Sequence, residues 1–220
     1  EYLCHFLNSP TRPIWTNYYN KHSNCREAIM VSSERRIKKN YTIEIRDATV
    51  SDVEDIWDIF NTVVDEGIYL PVFAKVRDKS SKRSWFYELI TNGDFCLVAL
   101  LKSSDGIETF LGQVTIESSY EWDGMEHVGI LGILVHPSYR NLGVGKSLIE
   151  EACEESRRRG KKKIVLSVFH TNPRAIKLYE KVGFDIVGRR RGQFQVNGEY
   201  VDEVLMEKWL VPIESISKKE

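Results

Sequence analysis

Ile133-Leu134-Val135-His136-Pro137-Ser138-Tyr139-Arg140-Asn141-Leu142-Gly143-Val144-Gly145-Lys146 is the stretch on which the fold turns. An apolar run ends in a Pro-containing loop, and Arg-x-x-Gly-x-Gly then opens directly into a helical pattern. A helix start bares several unpaired N–H groups and the positive end of the dipole. Glycines there allow unusual φ values and let an anion come close to the backbone, and Arg140 and Lys146 add positive charge. The pattern is therefore suited to a phosphate or diphosphate. It is not the dinucleotide motif, because Leu148 stands where GxGxxG needs its third glycine. Gly145-Lys146-Ser147 alone is an incomplete P-loop. Taken by itself, Gly-x-Gly also fits an ordinary tight strand-to-helix turn.

Upstream of this turn, 128–135 reads as a central strand buried on both faces. Downstream, 144–159 is an amphipathic helix closed by Gly160, 163–169 a second buried strand, and 173–182 a helix with Pro173 in its first turn. A strand pair, 184–190 and 200–208, flanks the hairpin signal Asn197-Gly198. Toward the N-terminus, 41–46 alternates as a strand. Ser51-x-x-Glu54 reads as a capping box, followed by Val53, Ile56, Trp57, Phe60 and Val64 at helical spacing. A second helix over 82–90 ends at Asn92-Gly93, and strands over 95–101 and 110–116 follow. The order β-α-α-β-β-β-α-β-α-β-β predicts an α/β (α+β) domain over 41–210. Residues 1–40, with Pro10, Pro13 and no sustained period, read as an irregular extension, within which Met30 is a candidate start; 211–220 reads as a charged tail.

Composition narrows the function classes. With 31 basic and 32 acidic residues the net charge is -1, so no bulk basicity calls for nucleic acid. No apolar run approaches the ~20 residues that cross a bilayer, and no secretory signal pattern opens the chain. Cys96 and Cys153 lie in apolar surroundings and read as buried thiols. There is no CxxC pair, so no metal is expected, and a reduced, cytoplasmic setting is the expectation.

The turn and its flanks together resemble the signature of the GNAT superfamily of N-acetyltransferases. The resemblance rests on Arg140-x-x-Gly143-x-Gly145, the strand before it, and Asn172-Pro173-x-Ala175-x-x-Leu178-Tyr179-x-x-x-Gly183-Phe184 after it. It implies a mixed, mostly antiparallel sheet of about seven strands flanked by about four helices, with acetyl-CoA as co-substrate. It implies that the backbones of Ile133, Leu134 and Val135 line the pantetheine arm. The segment Arg140, Asn141, Leu142, Gly143, Val144, Gly145 and Lys146 would hold the pyrophosphate. Asn172 would hydrogen-bond near the arm, and Tyr179 would stand near the sulfur and protonate the leaving thiolate. On the residues alone, Asn172 is equally an N-cap and Tyr179 a core side chain.

The proton acceptor is less legible. Members of the superfamily often carry Glu at positions matching Ile130 or Ser167, and this chain has neither. Glu117, Glu126 and Glu66 are the remaining candidates, with Glu126 sharing strand parity with residue 130. The segments 188–194 and 200–206 are similar to those of phosphinothricin and amino-acid acetyltransferases. They imply a small-molecule amine acceptor, with a protein or peptide N-terminus or lysine as the alternative and a silent acyl-CoA-binding module as a third reading. A homodimer is compatible with such a chain. Arg189, Arg190 and Arg191 form a cluster able to bind a carboxylate or phosphate, or simply a solvated strand end.

Overall fold

A computed structural model describes residues 41–103, 106–118 and 123–212. The extension expected over 1–40 and nearly all of the tail lie outside the described residues. The elements are β1 (Tyr41–Asp47), α1 (Val53–Glu66), α2 (Lys79–Thr91), β2 (Phe95–Ser103), β3 (Glu108–Glu117), β4 (Val128–Val135), α3 (Val144–Arg158), β5 (Lys163–Phe169), α4 (Pro173–Lys181), β6 (Asp185–Val196) and β7 (Glu199–Trp209). This is the expected order. The strands form one seven-stranded sheet in the order β1-β2-β3-β4-β5-β7-β6. Every neighbouring pair is antiparallel except β4 with β5. None of the helices among the described residues is long and apolar enough to cross a membrane.

Helices cover both sheet faces because β2 is apolar on both, while β3 gives Leu111, Val114 and Ile116 to one face and Phe110, with the buried polar Gln113 and Thr115, to the other. Cys96, Val98 and Leu100 pack against Val53, Ile56 and Trp57 of α1 and Phe86 and Leu89 of α2. Leu97, Ala99 and Leu101 point the other way and join Leu148, Ile149 and Ala152 of α3 in the larger core, with Tyr179 of α4 at its edge. Cys96 and Cys153 are buried free thiols, and burial pushes both thiol pKa values up.

Several local readings are corrected. The N-terminal cap before α1 is built two residues earlier than Ser51 and Glu54. The Asp52 carboxylate accepts the Thr49 N–H at 2.7 Å and the Thr49 hydroxyl at 2.8 Å. Arg46, at the end of β1, holds Asp52 bidentately at 2.8 and 2.9 Å, which fixes the turn there. Glu54 is spent instead on the buried Lys82 of α2, at 2.7 Å. Strand β4 is not buried on both faces: Ile130 is 41% exposed, because the buried cluster under α1 and α2 draws on β2 and does not extend to that position. Strand β5 alternates in burial for the same reason. Strands β6 and β7 are longer than expected and meet at Asn197 and Gly198, both with positive φ (51° and 85°), the backbone that a two-residue hairpin turn demands.

Candidate functional site

The sheet is split at one place. β4 pairs with β3 as far as Val135, and β5 pairs with β7 as far as Phe169, but β4 and β5 pair with each other only over Val128–Ile130 and Lys163–Val165. Beyond that apex the two strands diverge. Main-chain groups along a strand alternate in direction. The His136 N–H donates to Leu111 on the β3 side, whereas the His127 carbonyl accepts from Lys162 and Lys163 on the β5 side. Odd-numbered residues therefore turn their N–H and C=O toward β5, and for Ile133 and Val135 this means toward the gap. Leu134 turns its main chain to β3, opposite Gln113, and leaves a half-buried side chain on the open face.

The start of α3 lies at the wide end of this gap. Asn141 has φ 67° and Gly143 has φ 86°. The Ser147 N–H makes the first intrahelical bond, to Gly143 at 3.1 Å. The N–H groups of Val144, Gly145 and Lys146 come before it and have no carbonyl four residues back within the helix. The loop surface is open, since a Cβ on Gly143 would meet nothing within 4 Å. Gly145 has the opposite surroundings: its Cβ would lie 3.2 Å from Leu178, 3.7 Å from Val135 and 3.9 Å from Ile133. Gly145 thus brings α3 down onto β4 and α4. Lys146 is exposed, 3.5 Å from Glu150.

Arg140 is not free at the turn. Its guanidinium binds Glu66 bidentately (2.7 and 2.5 Å), donates to the Val135 carbonyl at 3.1 Å and lies over the Tyr69 ring at 5.0 Å. It ties the end of α1 to the loop after β4, and Glu66 is thereby occupied.

Because β4 and β5 are parallel, α4 begins at the same end as α3. Asn172 caps α4, accepting the Ala175 N–H at 3.1 Å, and its side-chain amide N–H₂ has no partner among the described residues. Tyr179 is 7% exposed, beside Phe184, and its hydroxyl has no hydrogen-bond partner among the described residues. Burial pushes its pKa up to about 12.

The carboxylates fall in different places. Glu126 is exposed in a turn before β4, beyond the apex and away from the gap, and its backbone carbonyl accepts from Lys161. Its parity with residue 130 carries no weight there, since the strand begins at Val128. Glu117 ends β3 directly opposite Ile130, level with the apex and on the open face. The residue as a whole is exposed, but loss of solvent around its carboxyl pushes the pKa up, with a hydrogen bond from Thr115 opposing and the Asp94 charge in the same sense. Arg189 and Arg190 are spent on cross-strand pairs with Asp202 and Glu203. The Glu66–Arg140 pair, and an Arg174 on α4 that makes no ion pair among the described residues, carry no signal of their own in the sequence.

A sheet opened at a parallel strand pair, with a bare helix start at its mouth, defines a fold built to hold an extended, anionic-ended cofactor. The model of the acetyltransferase (GNAT) family matches residues 57–184, more than half of the chain, and the chain belongs to that family. Over 83 residues (36% of this chain, 50% of the relative) it is 40% identical to an L-amino acid N-acetyltransferase of Escherichia coli strain K12. Over 82 residues (37% and 55%) it is 30% identical to the ribosomal protein bS18-alanine N-acetyltransferase of the same strain. The chain thus spans about half the length of these curated relatives. A phosphinothricin acetyltransferase of Sinorhizobium meliloti, solved with acetyl-CoA, shares the fold with a TM-score of 0.69 at 20% identity, covering 76% of this chain and 88% of that one.

Proposed function

We propose that this protein transfers the acetyl group of acetyl-CoA to the primary amine of a small, amino-acid-like acceptor by direct attack. The observation that carries the reading is the β4–β5 gap opening beside the bare start of α3. A diphosphate fits the N–H groups of Val144, Gly145 and Lys146, reached over Asn141, Leu142 and Gly143. Arg140 shapes this turn through Glu66 rather than spending its charge on the ligand. An extended pantetheine arm fits the gap as a substitute strand, paired with Ile133 and Val135 and met on the far side by the Asn172 amide.

In the reaction the amine nitrogen attacks the thioester carbon, and a main-chain N–H of β4 receives the developing oxyanion. The C–S bond then breaks. Tyr179 stays protonated through the neutral range and donates a hydrogen bond to the leaving sulfur. With a thiol pKa of ~8.5, full transfer from so weak an acid is uphill, so the bond stabilises the thiolate and water completes its protonation. Glu117, with its raised pKa, is the better-positioned base for the amine proton, taken directly or through water.

The bS18-type relative favours a second reading, an N-terminal alanine of a protein, and a cavity of about 350 Å³ lined by Tyr69, Phe169, Asn172 and Asn197 favours a small acceptor over it. The free thiols of Cys96 and Cys153 suit a reducing compartment such as the cytoplasm. The test is thiol release from acetyl-CoA over a panel of amines, amino acids and alanine-starting peptides. Turnover of small amines is expected, with Tyr179→Phe lowering kcat about tenfold at unchanged KM for acetyl-CoA. Acetyl-CoA binding without turnover of any amine would leave a silent binding module.

A further inference from the structure

A cavity of about 350 Å³ lies beside the far wall of the gap, a volume within the usual range for small-ligand sites. Phe169, where β5 ends, belongs to both the gap wall and the cavity, and Asn172, the cap of α4, lines the cavity beside it, so a molecule held there borders the gap. Its floor is apolar: Phe169, Val196 and Val201 are 4%, 7% and 7% exposed and pack as a small core of their own. Its rim carries one charge of each sign, Arg174 and Glu199. Neither makes an ion pair among the described residues. That sets Arg174 apart from the arginines ending α3, where Arg157, Arg158 and Arg159 each have glutamate partners. A guanidinium with no partner among the described residues, at the mouth of an apolar cavity, is suited to a planar carboxylate, which it can take bidentately.

We infer that this cavity takes the acceptor, and that the acceptor is an α-amino acid with an apolar side chain. This rests on the acetyl-transfer reading above. The carboxylate meets Arg174, the side chain lies on Phe169, Val196 and Val201, and the amine, on the remaining bond of the α-carbon, is directed to the gap past Asn172. Glu199 repels a second carboxylate, so aspartate and glutamate are poor acceptors. Arg174 touches the acceptor and acts on its binding, not on the acyl transfer.

The test has two arms. In the first, thiol release from acetyl-CoA is followed with leucine, phenylalanine, leucinamide, isoamylamine and aspartate. Leucine and phenylalanine should exceed leucinamide and aspartate in kcat/KM by about tenfold or more, and Arg174→Gln should raise KM for leucine by a similar factor. The same variant should leave kcat and the KM for leucinamide nearly unchanged, and Arg174→Lys should recover part of the loss. In the second arm, leucine is titrated calorimetrically into the full chain saturated with CoA, which has no acetyl group to transfer. Leucine binding that Arg174→Gln weakens, even without turnover in the first arm, supports the cavity while sinking the acetyl-transfer reading. Turnover of other amines with no leucine binding, equal use of leucine and leucinamide, or an unchanged leucine KM in Arg174→Gln overturns the inference. The absence of both turnover and leucine binding overturns it as well.

Discussion

Gly143 and Gly145 stand two residues apart and are needed for unrelated reasons. Gly143 has φ 86° with open space around it, so a side chain there meets no atom but must adopt a left-handed backbone, at a cost of roughly 1–2 kcal/mol. Gly145 has an ordinary helical backbone but sits 3.2 Å from Leu178. Gly143→Val is therefore the cleaner probe of the turn. It should lower acetyl-CoA affinity at least tenfold, read by calorimetry, while far-UV circular dichroism stays native; undiminished affinity would speak against an N–H cradle there. Glu117 gives a second test at this scale. Its raised pKa means that the folded state holds the proton more tightly than the unfolded chain. The associated stability is complete below the ordinary glutamate value of ~4.3 and is lost as pH rises through the folded value. Glu117→Gln should then gain stability over the parent between pH 4 and pH 7 in urea titrations. If Glu117 is the base, the variant should also lose the acidic limb of kcat/KM for an acceptor amine of low pKa. A limb that persists unchanged would return the proton to water.

At the scale of elements, the start of α1 is a clasp between a strand and a helix. Burial pushes the Asp52 carboxyl up, but the Arg46 guanidinium and the Thr49 N–H and hydroxyl outweigh it and hold the pKa below the usual range. Asp52→Ala should cost about 1–2 kcal/mol at pH 7. A depressed pKa contributes stability above the unfolded value of ~3.9 that is lost as pH falls through the folded value. The gap between variant and parent in denaturant midpoint should therefore close in strong acid, and a constant gap would assign the loss to packing alone. This clasp also marks where the sequence stops being legible. Thr49-x-x-Asp52 and Ser51-x-x-Glu54 are both acceptable caps by spacing, and the choice is made by Arg46 across the chain and by Lys82, which draws Glu54 away. The strand-turn-helix over 133–146 was readable because its signal is local: an apolar run, a glycine pair and a helical period in sequence order. The duty of Arg140 was not, because its partner Glu66 lies 74 residues away. Nor was that of Arg174, which as the second residue of a helix looks like any solvated cation until Phe169, Val201 and the hairpin are folded around it.

For the whole molecule, the β4–β5 junction divides the sheet into a β1–β4 half and a β5–β7 half that share only Val128–Ile130 with Lys163–Val165. Two bridges span the rest. On one face Leu178 of α4 rests on the first turn of α3 at Gly145. On the other, the end of α1 reaches Arg140 through Glu66 and Tyr69, and the β6–β7 hairpin through the Gly67 carbonyl and Asn197. The gap is thus held open from both sides, and apart from the Val135 carbonyl, which Arg140 takes, backbone groups that would pair in a continuous sheet are left to a ligand. This makes a pattern that residue-resolved hydrogen exchange can read. In the free protein the Ile133 and Val135 amides, which face the gap, should exchange much faster than those of Gly132 and Leu134, which face β3. Saturating acetyl-CoA should slow the Ile133 and Val135 amides selectively. At a hundredfold excess over Kd it should also add about 2.7 kcal/mol to global stability, and Gly143→Val should reduce both effects together. Uniform protection along β4 in the free protein would mean that the gap closes in solution, and slowing that appears elsewhere but not at Ile133 and Val135 would put the ligand outside it.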